Sequence, residues 1–240
     1  MAPTVLITGA SRGIGLAATQ FLLADGAQVV TVQRTTSPGL KTLAETYPTR
    51  LRNVQGDCTA EEIIKGSIRE AMDTFGTIDA VVFNAAAAYG IGHVEQLSLE
   101  DWQKTFDVNV FGVVKFLKEV LPVLKDGSRI ISTSSAAAEL GIIGASPYNA
   151  SKAALNSINR TVAAEHPSKI CVALHPGAMQ QAFVVNSKGI LPDSLVDMFP
   201  ELLEPEVPGR VIADLALRAS PALSGKYMHW DDPLLASLCI

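Results

Sequence analysis

Three cysteines, Cys58, Cys171 and Cys239, stand far apart and show no C-x-x-C spacing, which argues against structural disulfides and against a zinc site. The four histidines, His93, His166, His175 and His229, are scattered without ligand spacing and read as surface or packing residues, so no metal is expected. Charge is also scarce. Charged residues make up 18% of the 240, and 19 Lys plus Arg face 24 Asp plus Glu with no basic block, a net charge of −5 that disfavours nucleic acid and anionic membrane surfaces as partners. No run of about 18 apolar residues is present to span a bilayer. The opening "MAPTVLITGA" runs directly into a glycine turn and lacks the charged and apolar regions of a signal peptide, so a soluble, cytoplasmic chain is expected.

What the chain does have is aliphatic bulk. Hydrophobic residues are 48%, rich in Ala, Val, Ile and Leu, as suits strands buried on both faces. Short β-branched runs at 4–8, 27–33, 50–55, 78–84, 128–134, 169–175 and 225–230 alternate with helix-like spans at 13–24, 39–46, 60–74, 101–124 and 147–165. This alternation predicts one Rossmann-type, doubly wound α/β domain over residues 1–240, with a mostly parallel seven-stranded sheet. Residues 176–209 break the rhythm with five prolines and scattered large apolar side chains, and a substrate lid is expected over about 177–208.

The first predicted strand enters "TGASRGIG", Thr8 to Gly15, and then a helix. Gly9, Gly13 and Gly15 permit a tight turn, close backbone approach to a ligand, and close packing of helix on strand. The helix start would then offer its free N–H groups to a pyrophosphate. At the end of the second strand, "VQRTT" puts Gln33 where a carboxylate would hold the ribose 2′-hydroxyl of NAD, and Arg34 follows it. With Arg12 in the glycine turn, two cations and no carboxylate point to the 2′-phosphate of NADP.

A third stretch, "SPYNASKAAL", places Tyr148 four residues before Lys152, on one face of a predicted helix. A free phenol has a pKa of about 10, so a neighbouring ammonium is expected to favour the phenolate and lower it.

Taken together, these motifs resemble the short-chain dehydrogenase/reductase family over nearly the whole chain. The family pattern T-G-x-x-x-G-x-G falls on Thr8, Gly9, Gly13 and Gly15, and its tetrad falls on Asn109 in "DVNVFG", Ser135 in "STSSAAA", Tyr148 and Lys152. Ser135, thirteen residues before Tyr148, has the family spacing that Ser132 and Ser134 lack. The resemblance implies NADP(H) contacts at Gly9, Ser11, Arg12, Gly13, Ile14, Gly15 and Arg34. It extends them to Asp57 and Cys58, to Asn84 and Ala85, to Tyr148 and Lys152, and to Pro176, Gly177 and Met179. Two positions depart from the pattern: Ala86 replaces a glycine in the usual N-N-A-G, and Gln181 replaces a threonine that commonly contacts the nicotinamide amide.

By the same resemblance, Tyr148 protonates the developing alkoxide, Ser135 polarises the same oxygen, Lys152 lowers the Tyr148 pKa and holds the ribose, and Asn109 orders a water that connects Lys152 to solvent. The expected substrate is a small carbonyl compound. Between Phe183 and Leu203 the lid is apolar, with Lys188 its one cation, so a neutral ketone suits it better than an anion. Residues 209–235 and the chain length resemble a subgroup described as benzil reductases or sepiapterin-reductase-like proteins, which reduce one carbonyl of a 1,2-diketone with NADPH. Two alternatives stand beside it: an NADP-dependent alcohol or hydroxysteroid dehydrogenase working oxidatively, and a non-catalytic NADPH sensor. Family habit implies a homodimer or homotetramer through the helices at 101–124 and 147–165.

Overall fold

A computed structural model describes residues 2–177 and 203–236. Seven strands form one sheet: β1 (Thr4–Thr8), β2 (Gln28–Gln33), β3 (Leu51–Gln55), β4 (Ala80–Phe83), β5 (Arg129–Thr133), β6 (Ile170–His175) and β7 (Tyr227–His229). Their order is β3-β2-β1-β4-β5-β6-β7, with every neighbouring pair parallel. The chain therefore winds outward from β1 to β3 and returns to lay β4 on the other side of β1. This reversal opens a crevice at the carboxyl ends of β1 and β4, the place where doubly wound sheets bind ligands.

Burial on both faces explains the unbroken apolar strands. In β1, Val5 and Ile7 face one core while Leu6 faces the other, and in β4 Ala80 and Val82 alternate in the same way with Val81 and Phe83. The first core is closed by α1 (Gly13–Ala24), by Leu40 of α2 (Pro38–Thr46) and by α7 (Glu206–Arg218). The second is closed by α3 (Glu61–Phe75), α5 (Gly112–Val120) and α6 (Ser146–Glu165). Local chemistry sets several helix ends. Ser37 caps α2 by accepting from the Leu40 N–H with Pro38 in the first turn, and Gly76 ends α3 in the left-handed region at φ +77°.

Two helical expectations change. The single helix read over 101–124 is α4 (Leu99–Phe106), then a π-helical turn over Asp107–Phe111, then α5, then a 3-10 turn over Leu121–Val123. The wide turn accompanies two tertiary demands: Asn109 is tied to Ala87, and Gly112 packs so close to Thr59 that a Cβ would lie 2.9 Å from the Thr59 methyl. Helix α7 was not anticipated. Its first turn carries Pro208 and Gly209, residues that read locally as loop, and it begins at Glu206 within the expected proline-rich excursion. A short α8 (Pro233–Ala236) closes the described chain. Among the described residues no helix is long and apolar enough to cross a membrane.

Candidate active site

The glycine turn leaves β1 and delivers the chain into α1 at the β1/β4 crevice. Gly9 and Gly13 adopt φ +74° and +55°, and a Cβ on Gly13 would meet nothing within 4 Å, so this part of the turn borders open space. At Gly15 the reverse holds: a Cβ would stand 2.3 Å from the Gly9 carbonyl oxygen and 2.5 Å from the Asn84 amide nitrogen. No side chain caps α1 and its first turn holds no acidic residue, so its N-terminal N–H groups keep their positive field for an anion. These features fit a pyrophosphate. Asn84 braces the turn from β4, its amide donating to the carbonyls of Thr8 and Gly9 (both 3.1 Å), while the Thr8 hydroxyl accepts from the Asn84 and Ala85 N–H groups (both 3.1 Å). Thr8, Cys58, Phe83, Ala85, Val108 and Gly112 line a small cavity together with Val113 and Phe116. Ala86 needs no special backbone, since no non-glycine residue among those described has positive φ.

At the end of β2, Gln33 is 3% exposed and neither amide atom of its side chain has a partner. Arg34 and Arg12 are exposed, and among the described residues neither forms an ion pair. Asp57 accepts from both the N–H and the hydroxyl of Thr59, a short turn that opens the way to α3. Burial beside this carboxylate pushes the Cys58 thiol up to about 11, which makes it inert rather than nucleophilic. Ser11 and Ile14 lie in the turn and first helical residues, and Pro176 and Gly177 follow β6, also at a carboxyl end. Met179, Gln181, Lys188 and the proposed lid walls before Leu203 lie outside the described residues. Gly177 and Leu203 flank that segment and meet at Trp230, where a Cβ on Gly177 would be 2.3 Å from Leu203 Cδ1 and 3.0 Å from the indole.

The four predicted catalytic residues come from three elements. Asn109 sits on the π-turn and is 1% exposed. Its amide nitrogen donates to the Ala87 carbonyl (2.8 Å) and to the Ser151 hydroxyl (2.9 Å), and its oxygen accepts from the Ala87 N–H (2.8 Å). Ser135 follows β5 and caps a 3-10 turn over Ala136–Ala138, accepting from the Ala137 N–H at 3.2 Å. The structure separates it from its neighbour: the Ser134 hydroxyl turns inward and donates to Asn156 at 2.6 Å. Tyr148, in the first turn of α6, packs on Ala137, Ile142 and Ala145 and lies near enough to the Ser135 side chain to be influenced by it. Lys152, one turn later, is 2% exposed, donates to the Thr133 carbonyl at 2.7 Å, and lies 5.5 Å from the centre of the Tyr148 ring.

One electrostatic expectation is overturned. Burial raises the Tyr148 pKa above its ordinary value, and only the nearby Ser135 side chain opposes the rise. Lys152, in the same desolvated space and without a carboxylate partner among the described residues, is itself pushed down to about 8. Desolvation of both groups outweighs the attraction that spacing alone suggested, because the ammonium points to Thr133 rather than to the phenol.

Sequence reasoning also missed a neighbourhood. The Ala136 N–H donates to His175 Nδ1 at 3.1 Å, and the Tyr227 hydroxyl donates to the Ser135 carbonyl at 2.9 Å. Register pairs His175 with His229 across β6 and β7, and the two rings meet edge to face at 4.9 Å. Burial, reinforced by His229 and opposed by Asp231, lowers His175 to about 4. The only signal in the sequence was "YMH", with Tyr227 and His229 two apart on one strand face.

A doubly wound parallel sheet with a glycine cradle at its switch point and a Ser-Tyr-Lys cluster beside it defines a dinucleotide-dependent oxidoreductase architecture. The sequence profile described as short chain dehydrogenase matches residues 3–189, and the chain belongs to that family. It is similar to an uncharacterized oxidoreductase of Schizosaccharomyces pombe, 33% identical over 94% of this chain and 95% of the relative. It is also 30% identical to a benzil reductase of Saccharomyces cerevisiae that forms (S)-benzoin, over 98% of each chain. The crystal structure of a short-chain dehydrogenase/reductase from Saccharomyces cerevisiae superposes with a TM-score of 0.92 at 30% identity, covering 99% of both chains.

Proposed function

We propose that this oxidoreductase is an NADPH-dependent carbonyl reductase acting on a neutral, apolar 1,2-diketone, with Tyr148 as proton donor. The observation that carries this reading is the buried Tyr148 phenol near Ser135 at the carboxyl end of the sheet, in surroundings whose desolvation favours the protonated form. An enzyme reducing a ketone needs an acid in place, and burial, which raises the Tyr148 pKa from its ordinary value, favours the protonated phenol. The rim agrees with an apolar substrate: Leu140 and Ile143, in the loop before Tyr148, are 48% and 53% exposed. Glu139 begins this loop and lies close enough to raise the Tyr227 pKa, so an anionic substrate would meet like charge there. The likeness to a benzil reductase over the whole chain supports the diketone.

NADP(H) fits the residues present. Arg12 and Arg34 would hold the 2′-phosphate, and the buried, neutral Gln33 brings none of the repulsion a carboxylate would. When bound, the dinucleotide supplies the hydride. Ser135 donates to the carbonyl oxygen and fixes its place, and the Tyr148 O–H delivers its proton to that oxygen as negative charge develops. Lys152, protonated at neutral pH with its pKa near 8, stands one helical turn away to restore the phenol proton and to hold ribose hydroxyls. The Asn109 side chain is spent on Ala87 and Ser151, so a water serving Lys152 would be held by the Asn109 backbone carbonyl on the π-turn.

The test is NADPH oxidation by purified protein with benzil, an aliphatic diketone, a steroid ketone and a keto acid, each repeated with NADH. Diketone turnover with NADPH well above NADH is expected. Tyr148→Phe should lose about 1000-fold in kcat while NADPH affinity, read by fluorescence, stays within about two-fold. Equal rates with NADH, or substantial turnover by Tyr148→Phe, would refute the corresponding part of the reading. Tight NADPH binding without any turnover would instead favour a sensor.

A further inference from the structure

Ser135 can polarise a carbonyl only if its hydroxyl is held still, and it lies at the end of a strand, where the sheet ladder no longer fixes the backbone. The next peptide unit, between Ser135 and Ala136, is gripped on both edges. Its carbonyl accepts from the Tyr227 hydroxyl at 2.9 Å, and its N–H donates to His175 Nδ1 at 3.1 Å. Both gripping side chains come from the β6/β7 edge of the sheet. They are braced by His229, whose ring lies 4.9 Å from His175 and 5.7 Å from Tyr227. The preceding residue is held as well, its N–H by the Leu174 carbonyl at 2.7 Å and its hydroxyl by Asn156. With the peptide plane fixed, Ser135 stays extended at φ −165°, and its oxygen faces the Ala137 N–H with the hydroxyl proton free for Tyr148 or a substrate oxygen.

We propose that His175 and Tyr227 are positioning residues that orient Ser135 through the Ser135–Ala136 peptide. Neither needs to touch the substrate for this. His175 must carry its proton on Nε2, because Nδ1 is the acceptor. The inference rests on the reductase reading, in which Ser135 contacts the reacting oxygen.

The experiment compares His175→Leu, His175→Asn and Tyr227→Phe with the wild type in benzil reduction, together with NADPH affinity and amide exchange at Ala136. An asparagine Oδ1 can stand close to where Nδ1 stood and accept the same bond, whereas leucine cannot. His175→Leu and Tyr227→Phe should each lower kcat on the order of ten-fold or more with NADPH affinity unchanged, and His175→Asn should restore most of the loss. Ala136 exchange should be slow in the wild type and His175→Asn, and fast in His175→Leu. Wild-type kcat in both His175→Leu and Tyr227→Phe, or an asparagine variant as impaired as the leucine one, overturns the assignment. If the wild type reduces none of the carbonyls, the reductase reading fails. The clamp is then judged by exchange alone: slow exchange lost only in His175→Leu upholds it, and fast exchange in the wild type overturns it.

Discussion

Lys152 illustrates at the scale of a single residue how a functional group costs stability. Its ammonium is buried with no carboxylate partner among the described residues, and its pKa falls from 10.5 to about 8. Below pH 8 the folded chain holds a buried charge that the unfolded chain keeps in water, so the penalty is fully present at neutral pH. It is relieved as pH rises from about 8 toward 10.5, where the unfolded chain still binds the proton and the folded chain does not. Lys152→Met should therefore raise the stability of the ligand-free protein at pH 7, by on the order of 1 kcal/mol, and flatten the rise in Tm between pH 8 and 10.5. A Tm below wild type would show that the lost bond to Thr133 outweighs the relieved charge. Gly13 makes the complementary case. A Cβ there would meet none of the described residues within 4 Å, so Gly13→Ala should lose only about 1 kcal/mol, from its left-handed backbone. If the open space belongs to the dinucleotide, NADPH affinity should nevertheless drop about ten-fold or more, as measured by fluorescence titration, because the methyl would stand where phosphate oxygens approach.

The elements place these residues through a few close contacts. Helices α1 and α7 cross where a Cβ on Gly209 would lie 2.7 Å from the Ala17 Cβ and 3.0 Å from the Ala18 nitrogen. That approach seats α1, whose first turn is the proposed anion cradle, against the rest of the first core. Gly209→Val should overpack the crossing and cost about 1–3 kcal/mol, read as a lower urea midpoint with an unchanged m-value. It should also weaken NADPH binding although Gly209 is remote from the turn, since moving α1 moves its N-terminus. Unchanged affinity would mean that the cradle is held by Asn84 and Thr8 alone. The π-turn within the α4–α5 stretch is another such device. It lets Asn109 reach Ala87 and Ser151 at once, which joins the loop after β4 to helix α6 beneath the Tyr148–Lys152 face.

For the molecule as a whole, binding a dinucleotide across the β1/β4 crevice should stabilise the fold by mass action. At about 100 times its dissociation constant a single ligand adds about 2.7 kcal/mol, a clear rise in Tm. NADPH should give a larger rise than NADH at equal concentration, and the difference should shrink in Arg34→Ala and with added salt, since it rests on exposed cations meeting a phosphate. Equal rises for both cofactors would remove the basis for the NADP preference.

The pattern of residues by itself determined the seven strands and the doubly wound sheet, because strands buried on both faces must be continuously apolar and parallel strands need helical crossovers. It also marked Gly9, Gly13 and Gly15, since a strand-to-helix turn around a phosphate admits few other residues, and it paired Tyr148 with Lys152, since helical spacing is a local property. Local spacing could not show how the electrostatics of that pair come out: Tyr148 rises and Lys152 falls because both are desolvated, and burial is decided by what folds over them. Nor could it show that α7 begins through Pro208 and Gly209, or that a helix opens into a π-turn at Asn109, because partners distant in sequence impose both. The grip of His175 and Tyr227 on Ser135 belongs to the same class. Residues 40 and 92 positions away reach one peptide only because β5, β6 and β7 lie side by side.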